Sequence, residues 1–215
     1  MNNLVIACDN LKIEVNYILK KFDLKADIVW IDSKYHNTPC ALYDNLQKNI
    51  DNNQSYENIV LLYGYCGNAI NGLKSNFSNI IYPRVDDCIS LYLGGNEVRK
   101  NIQNNKSTYF FTKSLFENKQ SLYNEIEIMK DKYGVKKAIK IYKEILKNYT
   151  DIKIIDTGSC DISEIIQKSE ELAEEFGLTC SVITGDLSII YDALAGNWNE
   201  KFVINKKSET INLMD

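Results

Sequence analysis

The sequence predicts an α/β fold, in which a mostly parallel β-sheet carries helices on both faces. Short apolar runs alternate along the chain with longer segments whose apolar residues recur at intervals of three and four. Hydrophobic residues make up 45% and charged residues 25% of the 215 residues, which are ordinary proportions for a globular protein. The sequence contains no linker, low-complexity segment or convincing internal repeat, and its length suits a compact α/β protein.

Four strands and the helices between them are predicted in the first half of the chain. The strands are short apolar runs, at residues 4–8, 26–31, 58–63 and 80–82. Helical periodicity covers residues 11–24 and 39–50, with Pro39 in the first helical turn, and a short amphipathic segment covers residues 69–73. The resulting order β-α-β-α-β-α-β is typical of a parallel sheet.

The alternation continues to the end of the chain. Glycines mark several boundaries: Gly94 and Gly95 close one helix, Gly134 separates two more, and Gly177 follows a fourth. An Asp-Ile-Ser-Glu sequence at residues 161–164 resembles a capping box. The predicted helices cover residues 89–93, two segments within 114–149, 161–176 and 186–194, and the predicted strands cover residues 108–112, 153–156, 179–183 and 201–204.

We interpret residues 1–215 as one α/β domain. The alternative arrangement is a pair of Rossmann-like lobes, residues 1–113 and 114–215, that face each other across a cleft. Sequence patterns do not choose between one lobe and two.

Charge and hydropathy exclude two classes of partner. The net charge of −4 and the isoelectric point near 5.2 give little electrostatic support for binding to a nucleic-acid backbone. Apolar runs stay below the roughly 18 residues needed to span a bilayer, so we expect no membrane partner. The amino terminus has no positively charged region before its first apolar run, and we therefore expect a cytoplasmic protein without a signal peptide.

The six cysteines and the single histidine draw attention to sulfur chemistry, because structural disulfides are disfavoured in a reducing compartment. Cys8, Cys66 and Cys88 each lie just beyond a predicted strand, and His36 follows the remaining strand of that half. Ligands bind at the carboxyl ends of the strands in open parallel sheets. We therefore predict that these four residues stand on one rim of the sheet, with Cys160 as a weaker fifth candidate.

Three chemistries fit such a group. Three thiolates with an imidazole or an exchangeable position bind zinc tetrahedrally. Three thiolates also hold a four-iron four-sulfur cluster, although the chain has no Cys-x-x-Cys spacing. The third is a metal-free nucleophile, for which Cys88 at a helix amino terminus is the best-placed thiol.

Each candidate also has a structural interpretation, since free cysteines often fill a core. Cys40 and Cys180 are the cysteines most expected to pack in a core without a chemical role, because each lies within an apolar segment. Cys66 is the least suited to packing, because glycines beside it indicate a tight turn or the close approach of backbone to a ligand.

The polar residues beside the thiols are candidates for the substrate side of the site. Asn68, Arg84 and Asp87 would line it, with Arg84 binding an anionic group and Asp87 orienting a base; an internal ion pair is the alternative. Asp87 and Cys88 are the candidate catalytic residues.

Five motifs in order resemble a bacterial and archaeal family known as domain of unknown function 1638. They are Ile-Ala-Cys at 6–8, Tyr-Gly-Tyr-Cys-Gly-Asn at 63–68, Pro-Arg-Val-Asp-Asp-Cys-Ile at 83–89, Ile-Asp-Thr-Gly at 155–158 and Gly-Asn-Trp at 196–198. The cysteine-bearing motifs select Cys8, Cys66 and Cys88. The family pattern commonly has His before the Asp-Cys pair, where this chain has Asp86, which puts a ligand or base at that position in doubt.

The resemblance implies a setting in anaerobic metabolism, since such proteins are often encoded beside corrinoid-dependent methyltransferases. The resulting hypothesis is a thiolate-rich protein that binds zinc or an iron–sulfur cluster through Cys8, Cys66, Cys88 and His36. It would act as an accessory protein or small-molecule enzyme of one-carbon or corrinoid metabolism, and its partner would be a small molecule or a corrinoid methyltransferase component. A metal-free cysteine enzyme and a non-catalytic module for a corrinoid or a methyltransferase are the alternatives.

Overall fold

A computed structural model describes residues 2–103 and 107–213 of the chain. The strands are β1 (Asn3–Cys8), β2 (Asp27–Ile31), β3 (Asn58–Leu62), β4 (Asn79–Pro83), β5 (Ser107–Phe111), β6 (Tyr149–Asp156), β7 (Thr179–Thr184) and β8 (Phe202–Asn205). The helices are α1 (Lys12–Lys21), α2 (Pro39–Asn52), α3 (Cys88–Tyr92), α4 (Asn96–Gln103), α5 (Lys113–Glu117), α6 (Leu122–Tyr133), α7 (Val135–Ile145), α8 (Ser163–Phe176) and α9 (Ser188–Ala195).

The chain divides into two compact units. Unit 1 comprises Met1–Asn96 together with Asp186–Asp215, and unit 2 comprises Glu97–Gly185. Each unit has its own sheet. The prediction of a mixed α/β fold with a mostly parallel sheet is therefore confirmed.

The sheet of unit 1 has the strand order β2-β1-β3-β4-β8. The first four strands are parallel, and β8 pairs antiparallel with β4 at the edge. Cys8 is level with Ile31, and Ala7 is level with Leu62, so the carboxyl ends of β1, β2 and β3 coincide. Strand order reverses between β1 and β3, which makes this rim a topological switch point.

Burial explains why these segments form a central sheet with helices against it. All five residues of β3 are buried, as expected for a strand covered on both faces. In α2 the apolar residues Leu42, Leu46 and Ile50 recur every fourth position and are completely or almost completely buried. Val15 and Ile18 form the buried side of α1 in the same way.

Unit 2 contains a parallel three-stranded sheet with the order β5-β6-β7. Its core is formed by apolar side chains of β5 and β6 and of helices α5 to α8, including Phe111, Ile126, Ile152, Ile154 and Leu172. The αL conformation of Gly177 ends α8, as the sequence predicts. No helix in the described part of the chain has the length and apolar character required to cross a bilayer.

Three local expectations differ from the structure. Residues 69–73 form turns rather than a helix, because the backbone enters them through three successive left-handed residues, Cys66, Gly67 and Asn68. Residues 114–149 hold three helices instead of two, since Ser121 caps a new helix after a short break, while Gly134 makes the expected interruption. Helix α4 was not predicted, and none of its described residues is buried.

One close backbone contact fixes the loop after β3. A Cβ atom added at Gly64 would lie 2.5 Å from the carbonyl carbon and 2.6 Å from the Cα of Asp87. Real Cβ atoms essentially never lie so close to backbone atoms, so only glycine permits this approach. The loop after β3 therefore lies directly against the residue that precedes Cys88.

We predict that Gly64→Ala destabilises the protein by about 3 kcal/mol, because the new methyl group must displace backbone atoms of Asp87. Gly67→Ala is the matched control: its φ of +65° strains any side chain, but the nearest atom to its added Cβ is the Pro39 ring at 3.4 Å. The control should cost only about 1 kcal/mol. Urea denaturation measures both values, and equal losses would contradict a steric role for Gly64.

Candidate metal site

The rim at the switch point of unit 1 gathers three loops, each following a different strand. The loop after β2 carries His36, the loop after β3 carries Cys66, and Cys88 begins the helix that follows β4. Since the carboxyl ends of these parallel strands lie at one edge, residues far apart in sequence meet there.

His36 lies in a 3-10 turn, Ser33–Asn37, that is tied to the end of β1. The backbone N–H of Ser33 donates to Oδ1 of Asp9 over 2.9 Å. The side chain of Asp32 accepts from the N–H of Lys34, also over 2.9 Å, and caps the turn. These two carboxylates fix the backbone that presents the imidazole.

Cys66 has a left-handed backbone with φ of 46°, a conformation that costs a non-glycine residue about 1 kcal/mol or more. Hydrogen bonds to the loop after β4 hold it there: Tyr65 N–H donates to the Val85 carbonyl over 2.9 Å, and Cys66 N–H donates to the Asp86 carbonyl over 3.3 Å. Strained residues that persist in this way are often found at functional sites.

Cys88 is the first residue of α3, and Asp87 is the N-cap of that helix. The Asp87 carboxylate accepts from the backbone N–H of Ser90 over 3.1 Å and from its hydroxyl over 3.3 Å. Asp87 therefore has a local structural role beside Cys88: as the cap, it sets the direction of the first helical turn, in which Cys88 lies.

The three side chains converge on one point. The Sγ atoms of Cys66 and Cys88 are 3.4 Å apart, and Sγ of Cys88 lies 3.5 Å from Nε2 of His36. One ligand atom from each residue lies within 4.8 Å of the other two, and all three residues are partly buried. We call Cys66, Cys88 and His36 the thiol–imidazole group.

Cys8 does not belong to this group of three. It is buried at the end of β1, and its Sγ lies 3.9 Å from Oδ1 of Asp9. Burial, with a further contribution from the charge of Cys88, raises the pKa of the Cys8 thiol far above its usual value. Cys8 is therefore a buried, protonated thiol at the end of β1.

The electrostatics of the metal-free group favour protonated sulfur. The contact with Cys66 and then burial raise the pKa of Cys88 well above its ordinary value, against the opposing effect of His36. The contact with Cys88 raises the pKa of His36 against the effect of burial. A thiol with a raised pKa is a poor nucleophile in the free protein, whereas a bound metal ion deprotonates the same thiol.

The predicted substrate residues lie around the rim without joining the thiol–imidazole group. Asn68 is exposed with φ of 66°, and Asp87 is occupied as the cap of α3. Arg84 is exposed and lines a cleft of about 540 Å³ together with Tyr65 and Tyr82. Asp86 is exposed, and its carboxylate accepts from the side-chain amide of Asn96 over 3.1 Å.

The remaining cysteines lie elsewhere. Cys40 is exposed in the first turn of α2, so the expectation that it packs in an apolar segment is wrong, because that turn faces solvent. Cys180 is partly buried in β7 of unit 2, and burial raises its pKa. Cys160 also belongs to unit 2, where its Sγ accepts from the hydroxyl of Ser159 at 3.8 Å.

Tyr63 was not singled out from the sequence, although it begins the Tyr-Gly-Tyr-Cys motif. Its side chain is completely buried, and its ring centroid lies 6.4 Å from that of His36. Burial and the thiols of Cys8, Cys88 and Cys66 raise its pKa well above the ordinary value. Tyr63 ends an apolar run, so the sequence pattern around it is that of an ordinary core residue.

The fold and the rim define an α/β protein with a His-Cys-Cys group at the switch point of a mostly parallel sheet. Residues 30–194 match the family described as "Protein of unknown function (DUF1638)", and the chain belongs to that family. The matched residues include the whole thiol–imidazole group, whereas Cys8 lies before them. Neither the curated proteins nor the solved structures gave a significant match to the chain.

We predict that Cys66→Ala lowers the pKa of Cys88 in metal-free protein. The contact with Cys66 is the largest cause of the raised value, and the opposing contact with His36 remains. His36→Ala should move the pKa upward. The pH midpoint of Cys88 alkylation, followed by peptide mass spectrometry in reductant and chelator, measures both shifts, and midpoints that move together would contradict the assignment.

Proposed function

We propose that the protein binds a single divalent metal ion of the zinc type through Cys66, Cys88 and His36. The observation that carries the proposal is the convergence of two sulfurs and one imidazole nitrogen within 4.8 Å of one another. Thiolate and imidazole are the ligands that zinc prefers in proteins.

The separations suit one shared ion. Zinc–sulfur bonds of about 2.3 Å and zinc–nitrogen bonds of about 2.0 Å in a tetrahedron place two sulfurs roughly 3.8 Å apart and sulfur from nitrogen roughly 3.5 Å apart. The structure has 3.4 Å between the sulfurs and 3.5 Å between Sγ of Cys88 and Nε2 of His36, and all three ligand atoms lie within 4.8 Å of one another. Two of the three separations are therefore within about 0.4 Å of those expected for one shared ion.

An iron–sulfur cluster fits these distances less well. Thiolates at the corners of a four-iron cluster stand about 6 to 7 Å apart, roughly twice the separation of Cys66 and Cys88. The left-handed backbone at Cys66 and the cap of α3 hold the two thiols close together. A mononuclear site is the occupant that the geometry supports best.

A three-residue ligand set is typical of zinc sites that act on another molecule, since tetrahedral zinc takes a fourth ligand. Two neighbouring features support exchange with solvent: the three ligand residues are only partly buried, and exposed Asn68 lies beside them in the chain. The metal would supply a Lewis acid that polarises a bound small molecule. Asp87 and Asp32 would keep the ligands in place through the backbone contacts described above.

A role in anaerobic one-carbon or corrinoid metabolism is the finer form of the proposal. Its support is the family resemblance, in which two of the three cysteine-bearing motifs supply the thiols of the thiol–imidazole group. The small molecule would then be a one-carbon donor or acceptor, or the partner would be a corrinoid methyltransferase component.

We predict that protein purified anaerobically and loaded with Zn²⁺ retains one ion per chain after gel filtration. Cys66→Ser, Cys88→Ser and His36→Ala should each weaken zinc binding by more than the roughly 10–100-fold that loss of an outer-shell partner causes. Competition with a chromophoric chelator measures affinity, and elemental analysis gives the stoichiometry. Absence of zinc, or iron with acid-labile sulfide in its place, would contradict the proposal.

Two cysteine variants serve as controls for that experiment. Cys180→Ser changes a thiol of unit 2 and should leave the zinc affinity unchanged. Cys8→Ala tests the third thiol of the sequence-based hypothesis. Retention of zinc by Cys8→Ala would identify Cys8 as a buried neighbour, and loss comparable to that of Cys66→Ser would restore it as a ligand.

We predict that zinc affinity rises with pH through the neutral range and continues to rise into the alkaline range, because the pKa of Cys88 is raised well above its ordinary value. The raised pKa values of Cys88 and His36 mean that protons occupy these ligands in the metal-free protein, so they must leave when zinc binds. Binding should release the Cys88 proton and, at lower pH, the His36 proton as well, and acid should weaken binding. Calorimetry in two buffers of different ionisation enthalpy measures the proton release, and a pH-independent affinity would contradict thiolate ligation.

A further inference from the structure

Tyr63 carries a buried hydroxyl whose hydrogen-bonding capacity is unused. The residue follows β3 directly and has no exposed surface. Among the residues that the structure describes, its Oη has no hydrogen-bond partner. Most buried polar side-chain atoms in native proteins have a partner, so an unpartnered one calls for a reason.

The ring of Tyr63 lies beside one residue of the candidate metal site. Its ring lies 6.4 Å from the His36 ring between centroids. A phenol has an ordinary pKa of about 10, so the Tyr63 hydroxyl is protonated at neutral pH and able to donate a hydrogen bond.

The charge balance of the proposed metal site indicates which ligand would accept a hydrogen bond from the Tyr63 hydroxyl. Two thiolates and a neutral imidazole compensate a divalent metal ion completely. A fourth ligand that is an anion leaves one negative charge in a partly buried place, where hydrogen-bond donors are needed to stabilise it. A protonated phenol beside the His36 ring is such a donor, and it offers no positive charge that would favour a dianion.

We infer that Tyr63 donates a hydrogen bond to a small, soft monoanion that occupies the fourth coordination position, of which an alkyl thiolate is the simplest example. This inference rests on the proposed metal site and specifies the class of ligand it takes. A thiol would lose its proton to solvent on binding, and no electrons would be transferred. Tyr63 is then a positioning residue, because it acts on the ligand that the metal holds.

The test uses protein loaded with Co²⁺, whose absorption reports each ligand, and 2-mercaptoethanol as the probe under anaerobic conditions. We predict that Tyr63→Phe binds Co²⁺ with unchanged affinity and binds 2-mercaptoethanol about tenfold more weakly, the loss expected for one hydrogen bond to a charged acceptor. The titration follows the thiolate-to-cobalt charge-transfer band. Cys66 and Cys88 already contribute to this band, so only its increase on addition of 2-mercaptoethanol reports the added thiolate, and the concentration at half-increase gives the probe affinity.

Two controls separate this role from packing. Tyr82→Phe removes the hydroxyl of another buried tyrosine, on the neighbouring strand β4, and should leave the probe affinity unchanged. The metal-free Tyr63→Phe protein should melt at the same temperature as the wild type or higher, because the variant loses a hydroxyl that has no protein partner.

Each outcome decides between explanations. Equal affinity of wild type and Tyr63→Phe for 2-mercaptoethanol, with Co²⁺ bound by both, would overturn the role of Tyr63 and leave the metal site intact. A lower melting temperature or weaker Co²⁺ binding by Tyr63→Phe would overturn it in favour of a structural role. Failure of the wild type to bind Co²⁺ would overturn the metal site and, with it, this inference.

Discussion

The arrangement of the rim depends on the close passage of the backbone at Gly64 over Asp87. That contact brings the loop after β3 against the start of α3, where no side chain larger than hydrogen fits. Backbone hydrogen bonds from Tyr65 and Cys66 continue the contact, and the two sulfurs consequently lie 3.4 Å apart. The pairing of the thiols is thus set by main-chain packing, so it does not require a ligand to assemble it.

In the metal-free protein, the electrostatics of the rim favour protonated Cys88 and Cys8. The contact with Cys66 and then burial raise the pKa of Cys88, and burial does the same for Cys8. A neutral thiol pair avoids the cost of placing two negative charges side by side. A divalent ion reverses this balance, because its charge compensates both thiolates at once. The thiols of the rim are therefore stable in the protonated form without a metal ion and as thiolates when a divalent ion is bound.

Much of the fold was predictable because short apolar runs and glycine boundaries are local signals, as the strands at Leu4 and Ile59 illustrate. The antiparallel direction of β8 depends on long-range pairing with β4, which no local pattern encodes. His36, Cys66 and Cys88 could be named from their position after strands. The contrast between Cys8 and these three required the actual side-chain positions, and Tyr63 was hidden because a buried hydroxyl has the sequence signature of a core aromatic residue.

Strand β8 has a consequence for the order of events during synthesis. It pairs with β4 only after the ribosome has made the intervening unit 2, since Ile81 lies opposite Ile204, more than one hundred residues later. At the usual rate of translation, β4 waits roughly ten seconds with one unpaired side. The nascent amino-terminal segment thus carries an exposed strand edge for that interval, and chaperones that shield such edges would bind it then.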